Sequence, residues 1–321
     1  MIHFAPKNCK GFSLVELMVA LVLGLLLSAG IINIYIDSRR NFNFEEEAAR
    51  LQENGRYAIN LLKSNLTQAG FFGGMTNKLA SAQSVTKDCV AGVNWVLDGT
   101  EPIDLINDYS SSTATVRGKT LNCLTTGTLQ ADSDIVTVKR TAGDMTIKSG
   151  AAHAGASGDA TQWYLHVEKS NSSWHYGTGF STSSLSNYWE YYAKVFYVRD
   201  YSLTAGDDVP TLCAEQLEGD EMTTSALVEG IENMQIEFGI DTDNDGVSNR
   251  FETAPDASEI QDAIMARIYL LVRSVNEAPV GYTDDKSYTL GSKVIAAKND
   301  RYLRKVFSTS VQLRNAGIPR I

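Results

Sequence analysis

Asp241-Thr-Asp243-Asn-Asp245-Gly246-Val247-Ser-Asn249-Arg-Phe-Glu252 follows the pattern D-x-D-x-D-G, five further residues and a glutamate. Calcium takes six to eight hard oxygens, and this spacing offers Asp241, Asp243 and Asp245, the Val247 carbonyl, Asn249 through a water, and a bidentate Glu252. Gly246 permits the sharp turn the loop needs. The flank from Met234 to Ile240 alternates like a strand, so the expectation is a calcium loop between a strand and a less regular segment, preferred over a bare Asp/Asn/Gly turn. Other chemistry is sparse. His153, His166 and His175 lack zinc spacing and read as surface or edge histidines, and His166-Val-Glu168 lacks the cysteine pair of a deaminase. No nucleophile elbow, Walker loop or complete dinucleotide fingerprint is present, and Gly177-Thr-Gly179 only begins one. The chain reads as a non-enzyme.

A second group of residues stands near the start. Gly11-Phe12-Ser13-Leu14-Val15-Glu16-Leu17 places a small residue, an aromatic and a lone carboxylate at the mouth of an apolar stretch that ends near Ile36. A carboxylate at the centre of a spanning helix costs about 2.5 to 3.5 kcal/mol, and less near an end, so Glu16 is expected to have a task. Lys7 and Lys10 precede it without any acid. The apolar stretch is long enough to cross a bilayer once, with the N-terminus cytoplasmic. A secretory signal is cut after its apolar region, whereas here the candidate site, Gly11 before Phe12, lies in front. The apolar segment is therefore expected to stay on the mature chain.

The 321 residues carry a net charge of −10, and losing Lys7 and Lys10 with a leader would make it −12. Direct nucleic-acid binding is not expected of such a chain. Of four cysteines, Cys9 precedes the membrane stretch and Cys89, Cys123 and Cys213 follow it. In an oxidising compartment Cys89 with Cys123 is the preferred pair, on a moderate loop in one turn-rich region, while Cys213 could replace either partner.

The elements that must position these residues can be read from periodicity. Ala48, Leu51, Gly55, Ala58, Leu62 and Ala69 recur at helical spacing, and Gly70 with Gly73-Gly74 supplies a stop. One helix from Phe12 to about Ala69 would be about 87 Å long, apolar all round in its first half and amphipathic in its second. Beyond Gly74, residues 134–139, 161–167, 194–199, 234–240, 266–273 and 306–313 read as strands, and 259–265 as a short helix. Residues 150–160 and 170–186 read as surface loops. Trp174, Tyr176, Tyr188, Trp189, Tyr191, Tyr192 and Tyr197 are expected as half-buried sheet residues rather than an exposed recognition patch. The expected fold is α+β: a long N-terminal helix packed on an antiparallel β-sheet head with large loop insertions. Its divisions are 1–11 leader, 12–36 membrane or filament-core helix, 37–74 amphipathic continuation and 75–321 head.

The Gly11-Phe12 to Glu16 arrangement resembles the class III signal of type IV prepilins. That resemblance implies cleavage after Gly11 by a prepilin peptidase, N-methylation of Phe12 to N-methylphenylalanine, and pairing of Glu16 with a neighbouring subunit's terminal amine in a filament core. Residues 50–58 (RLQENGRYA), 227–232 (LVEGIE), the acidic loop, 266–273 (ARIYLLVR) and 306–315 (VFSTSVQLRN) together resemble the PilW family of minor pilins. The chain departs from many major pilins in having no cysteine after Cys213 and no helix-kinking proline, leaving Gly24 and Gly30 as weak points. The resemblance implies a pilin-like head in the periplasm, an inner-membrane anchor before assembly and a place on the surface pilus afterwards. Partners would be other minor pilins and the major pilin in an initiating or tip complex, with twitching motility and cell adhesion downstream. A type II secretion pseudopilin and a tip adhesin are the alternatives.

Overall fold

The computed structural model describes residues 11–75, 79–110, 113–153 and 155–315. Lys7, Cys9 and Lys10 of the expected leader lie outside them. The first element, α1 (Leu14–Gln68), is one unbroken helix of 55 residues that runs through both Gly24 and Gly30. It starts on a reciprocal cap. The Glu16 N–H donates to Ser13 Oγ at 3.2 Å, and the Ser13 N–H donates to Glu16 Oε2 at 3.0 Å, so two end groups that lack helical partners satisfy each other. It stops at Gly70, whose φ of +76° suits glycine and whose N–H donates to the Lys139 carbonyl at 3.0 Å.

The head then follows. Its first strands are β1 (Ile103–Tyr109), a small hairpin of β2 (Thr115–Val116) and β3 (Lys119–Thr120), and β4 (Ser133–Thr141). Next come the short β5 (Ile147–Lys148) and β6 (Ala151–Ala152), then β7 (Trp163–Glu168), β8 (Asn171–Tyr176) and the long β9 (Ser186–Arg199). The chain continues through β10 (Thr211–Glu218), β11 (Glu221–Glu229), β12 (Ile231–Ile240) and β13 (Arg250–Glu252). After α2 (Ala257–Gln261) it closes with β14 (Ala263–Arg273), β15 (Tyr288–Leu290), β16 (Lys293–Ile295) and β17 (Arg304–Gln312).

Two antiparallel sheets carry the head. The larger runs β1-β4-β9-β10-β11, with β5–β6 and β7–β8 attached to the first half of β9. The smaller runs β13-β12-β14-β17. The amphipathic half of α1 buries Leu51, Ala58, Leu62 and Leu66 in one core with Val136 and Phe196 of the larger sheet and Ile236, Phe238, Ile268 and Leu270 of the smaller. A second core gathers Trp95, Leu97, Trp163, Trp189, Tyr191 and Val195. The arrangement is α+β, with the long helix laid on antiparallel strands.

Two local expectations need correction. The short helix occupies Ala257–Gln261 and not 259–265, because Asp256 and Glu259 form a capping box that starts it early, and β14 begins at Ala263. The span 170–186 is not all loop. Residues Asn171–Tyr176 form β8, which pairs along the whole of β7 across a turn with Lys169 at φ +56°.

Candidate functional site

Residues 11–46 are exposed along their whole length, including Leu14, Leu17, Leu21, Leu25 and Ile32 on every side of α1. An apolar rod of this length without a protein partner needs a membrane or other helices to cover it. α1 is the one described helix long and apolar enough to cross a membrane. Gly11 and Phe12 precede its first turn in open space, Phe12 at 87% exposure, where an enzyme could reach the bond between them. Glu16 lies on the exposed helix end, and in the single chain its carboxylate is held by Ser13. The Ser-x-x-Glu spacing announces this cap, a signal the sequence reading passed over in treating Glu16 only as a partner for a neighbour.

The second half of α1 is fixed to the head by hydrogen bonds and close packing. Glu47, buried, accepts the Asn276 side-chain N–H at 2.7 Å and its backbone N–H at 3.3 Å. Asn54 donates to the Glu229 carbonyl at 3.1 Å. Gly55 lets the ring of Phe307 on β17 lie directly against the helix.

The acidic loop is a hairpin between β12 and β13, so the segment after it is a strand and not irregular. Phe238, Gly239 and Ile240 pair with Glu252, Phe251 and Arg250. Asp241, Asp243 and Asp245 bring carboxylate oxygens within 4.8 Å of one another. Glu252 and Asn249 are not gathered with them: Glu252 lies on β13 in an ion pair with Arg250, and Asn249 Oδ1 accepts from the Thr242 backbone at 2.7 Å. The Val247 side chain is exposed, and its N–H donates to Asp245 Oδ1 at 2.8 Å. Strand pairing of residues 250–252 draws Glu252 away from the register an exiting helix would give it.

Cys89 and Cys123 form a disulfide, with 4.7 Å between their Cα atoms and 34 residues of separation, while Cys213 is buried and unbonded. Burial pushes the Cys213 thiol up to about 11. The aromatic span points inward: Trp174, Tyr188, Trp189, Tyr191 and Tyr197 are buried and Tyr192 is half-buried, while Tyr176 alone of the seven is exposed. Of the histidines, His153 is half-exposed and His175 lies on the edge strand β8, as expected, whereas His166 lies on β7 between two strands. His166 stacks on Tyr188 and bridges Ser173 and Ser186, and burial holds its imidazole below the usual range. His175 packs edge-on to Tyr188 beside Phe180.

Residues 6–32 match the model of the prokaryotic N-terminal methylation motif. Residues 195–315 match the model of the Type IV Pilus-assembly protein W family, PilW. Among solved structures, a type IV-like pilin from Thermus thermophilus is similar at 13% identity and a TM-score of 0.38, over 83% of this chain and 97% of that one. No curated protein matches the chain. The start of the chain and the first half of α1 are thus similar to the prepilin-type methylation signal of type IV pilin-like proteins. The head, from within β9 through β17, is similar to the PilW family over the matched residues.

Proposed function

We propose that the chain is a minor pilin that joins an initiating or tip complex with other minor pilins and promotes type IV pilus assembly and surface display. The observation that carries this reading is the asymmetry of α1. Its second half is buried against the head, while residues 14–36 are bare on all sides behind a prepilin-type start. Such a helix suits insertion in the inner membrane first and a bundle of like helices afterwards. The PilW match supports a role in building a pilus.

Glu16 would then have two partners in turn. In the free subunit its carboxylate accepts the Ser13 N–H; in the filament it would take a neighbour's N-terminal amine, a charged donor and so the stronger one in an apolar surrounding. The variant Glu16→Gln keeps an acceptor for the cap and removes the charge. It is expected to insert and be processed normally, with at least a tenfold loss from sheared pili relative to the membrane fraction. Incorporation at the wild-type level would refute the pairing role.

A further inference from the structure

Asp241 is the buried member of the acidic hairpin, at 5% exposure. Its backbone is fixed by N–H donation to the Asp262 carbonyl at 3.0 Å, and its Oδ2 accepts the Gly246 N–H at 2.8 Å. Its Oδ1 is buried without a hydrogen-bond donor. A buried carboxylate oxygen with no donor is costly unless a cation meets it. The side chain on the hairpin that could supply one, Arg250, is already engaged by Glu252 and Glu259.

Two oxygens bound to one calcium ion at about 2.4 Å can stand at most about 4.8 Å apart. One carboxylate oxygen from each of Asp241, Asp243 and Asp245 lies within 4.8 Å of the other two. Magnesium, bound at about 2.1 Å, would demand a stricter octahedron. An all-oxygen, three-carboxylate set also suits a hard cation better than zinc. We propose that Asp241, Asp243 and Asp245 bind one calcium ion that closes the β12–β13 hairpin, with Asp241 Oδ1 as the buried ligand. Water and backbone carbonyls complete the shell, and Glu252 stays with Arg250. The ion holds the loop beside the start of β14, inside the PilW-matched region, whatever the chain's place in a pilus.

The test is calorimetric titration of the chelator-stripped full-length chain in detergent micelles with calcium chloride and, separately, magnesium chloride. One calcium per chain is expected, bound at least tenfold more tightly than magnesium. The double variant Asp243→Asn/Asp245→Asn changes two exposed side chains and so spares the core; it should bind calcium at least tenfold more weakly, and its melting temperature should no longer respond to chelator. Asp285→Asn, at an exposed acid elsewhere on the head, should bind like the wild type. Absence of calcium binding, equal binding of magnesium, or unchanged calcium affinity in the double variant would overturn the assignment.

Discussion

Gly55 on α1 and Phe307 on β17 meet so closely that a β-carbon at position 55 would fall 2.4 Å from the Phe307 ring. The contact lets the helix backbone lie against the outer strand of the smaller sheet. Alanine would improve helix propensity by about 1 kcal/mol, but overpacking a fitted contact costs about 1 to 3 kcal/mol, and the steric term should win. Gly55→Ala is expected to destabilise the head by about 1 kcal/mol in urea, and adding Phe307→Leu should recover most of the loss. Additive losses in the double variant would mean that the two residues do not act through this contact.

Arg304 holds three carboxylates with one buried guanidinium. Its Nε reaches Glu232 at 2.6 Å, and its Nη1 reaches Asp284 at 3.0 Å and Asp300 at 2.6 Å. Arg304→Met strands these acids, Asp284 among them with a fully buried side chain. A loss of about 3 to 5 kcal/mol is expected from denaturant midpoints, because a broken buried pair leaves its charge uncompensated. The deficit should shrink at acidic pH, where the stranded carboxyls can take up protons.

Asp134 lies buried on β4, where burial pushes its carboxyl up to about 7 despite N–H donation from Asp108 at 2.9 Å and Ile236 at 2.7 Å. The folded state therefore holds this proton more tightly than the unfolded state, whose value is near 3.8. The stabilisation is complete below the unfolded value and is lost as pH rises through about 7. Denaturant stability measured between pH 4.5 and 8 should contain this downward contribution, and Asp134→Asn should flatten it. An equal slope in the variant would assign the pH dependence to other groups.

Much of the architecture was legible before the structure. The strongly periodic runs 234–240 and 266–273 lie in β12 and β14, which bury one or both faces, and 306–313 covers most of β17, where half-buried residues face α1 and Val311 is buried. The stripe Leu51, Ala58, Leu62 is the buried face of α1. What escaped were strands whose side chains carry little pattern. β8, Asn-Ser-Ser-Trp-His-Tyr, is a sheet edge with Trp174 as its buried residue, and β11, also an edge, runs Thr-Thr-Ser and then Ala-Leu-Val without polar and apolar alternation. In such strands pairing comes from backbone hydrogen bonds with β7 and β10, which composition does not record. The three aspartates of the acidic loop converge as their spacing suggested, whereas Glu252 does not, because sequence spacing could not reveal the β12–β13 ladder.

The disulfide between Cys89 and Cys123 fastens a turn-rich span to the second core, where Lys139 also donates to the Trp95 carbonyl at 2.7 Å. Replacing both cysteines with serine should cost about 2 to 4 kcal/mol. Thiol titration of the denatured, leader-free chain should find the single Cys213 before reduction and all three cysteines after it. More than one thiol before reduction would contradict this pairing.

The proposed function requires that the bare half of α1 and the PilW-matched head together serve pilus assembly. A clean deletion, scored in one strain for surface pili and for type II secretion, tests it most directly. Few or no pili with export unchanged, restored by the wild-type gene, is the predicted result. Normal surface pili with lost export would contradict it.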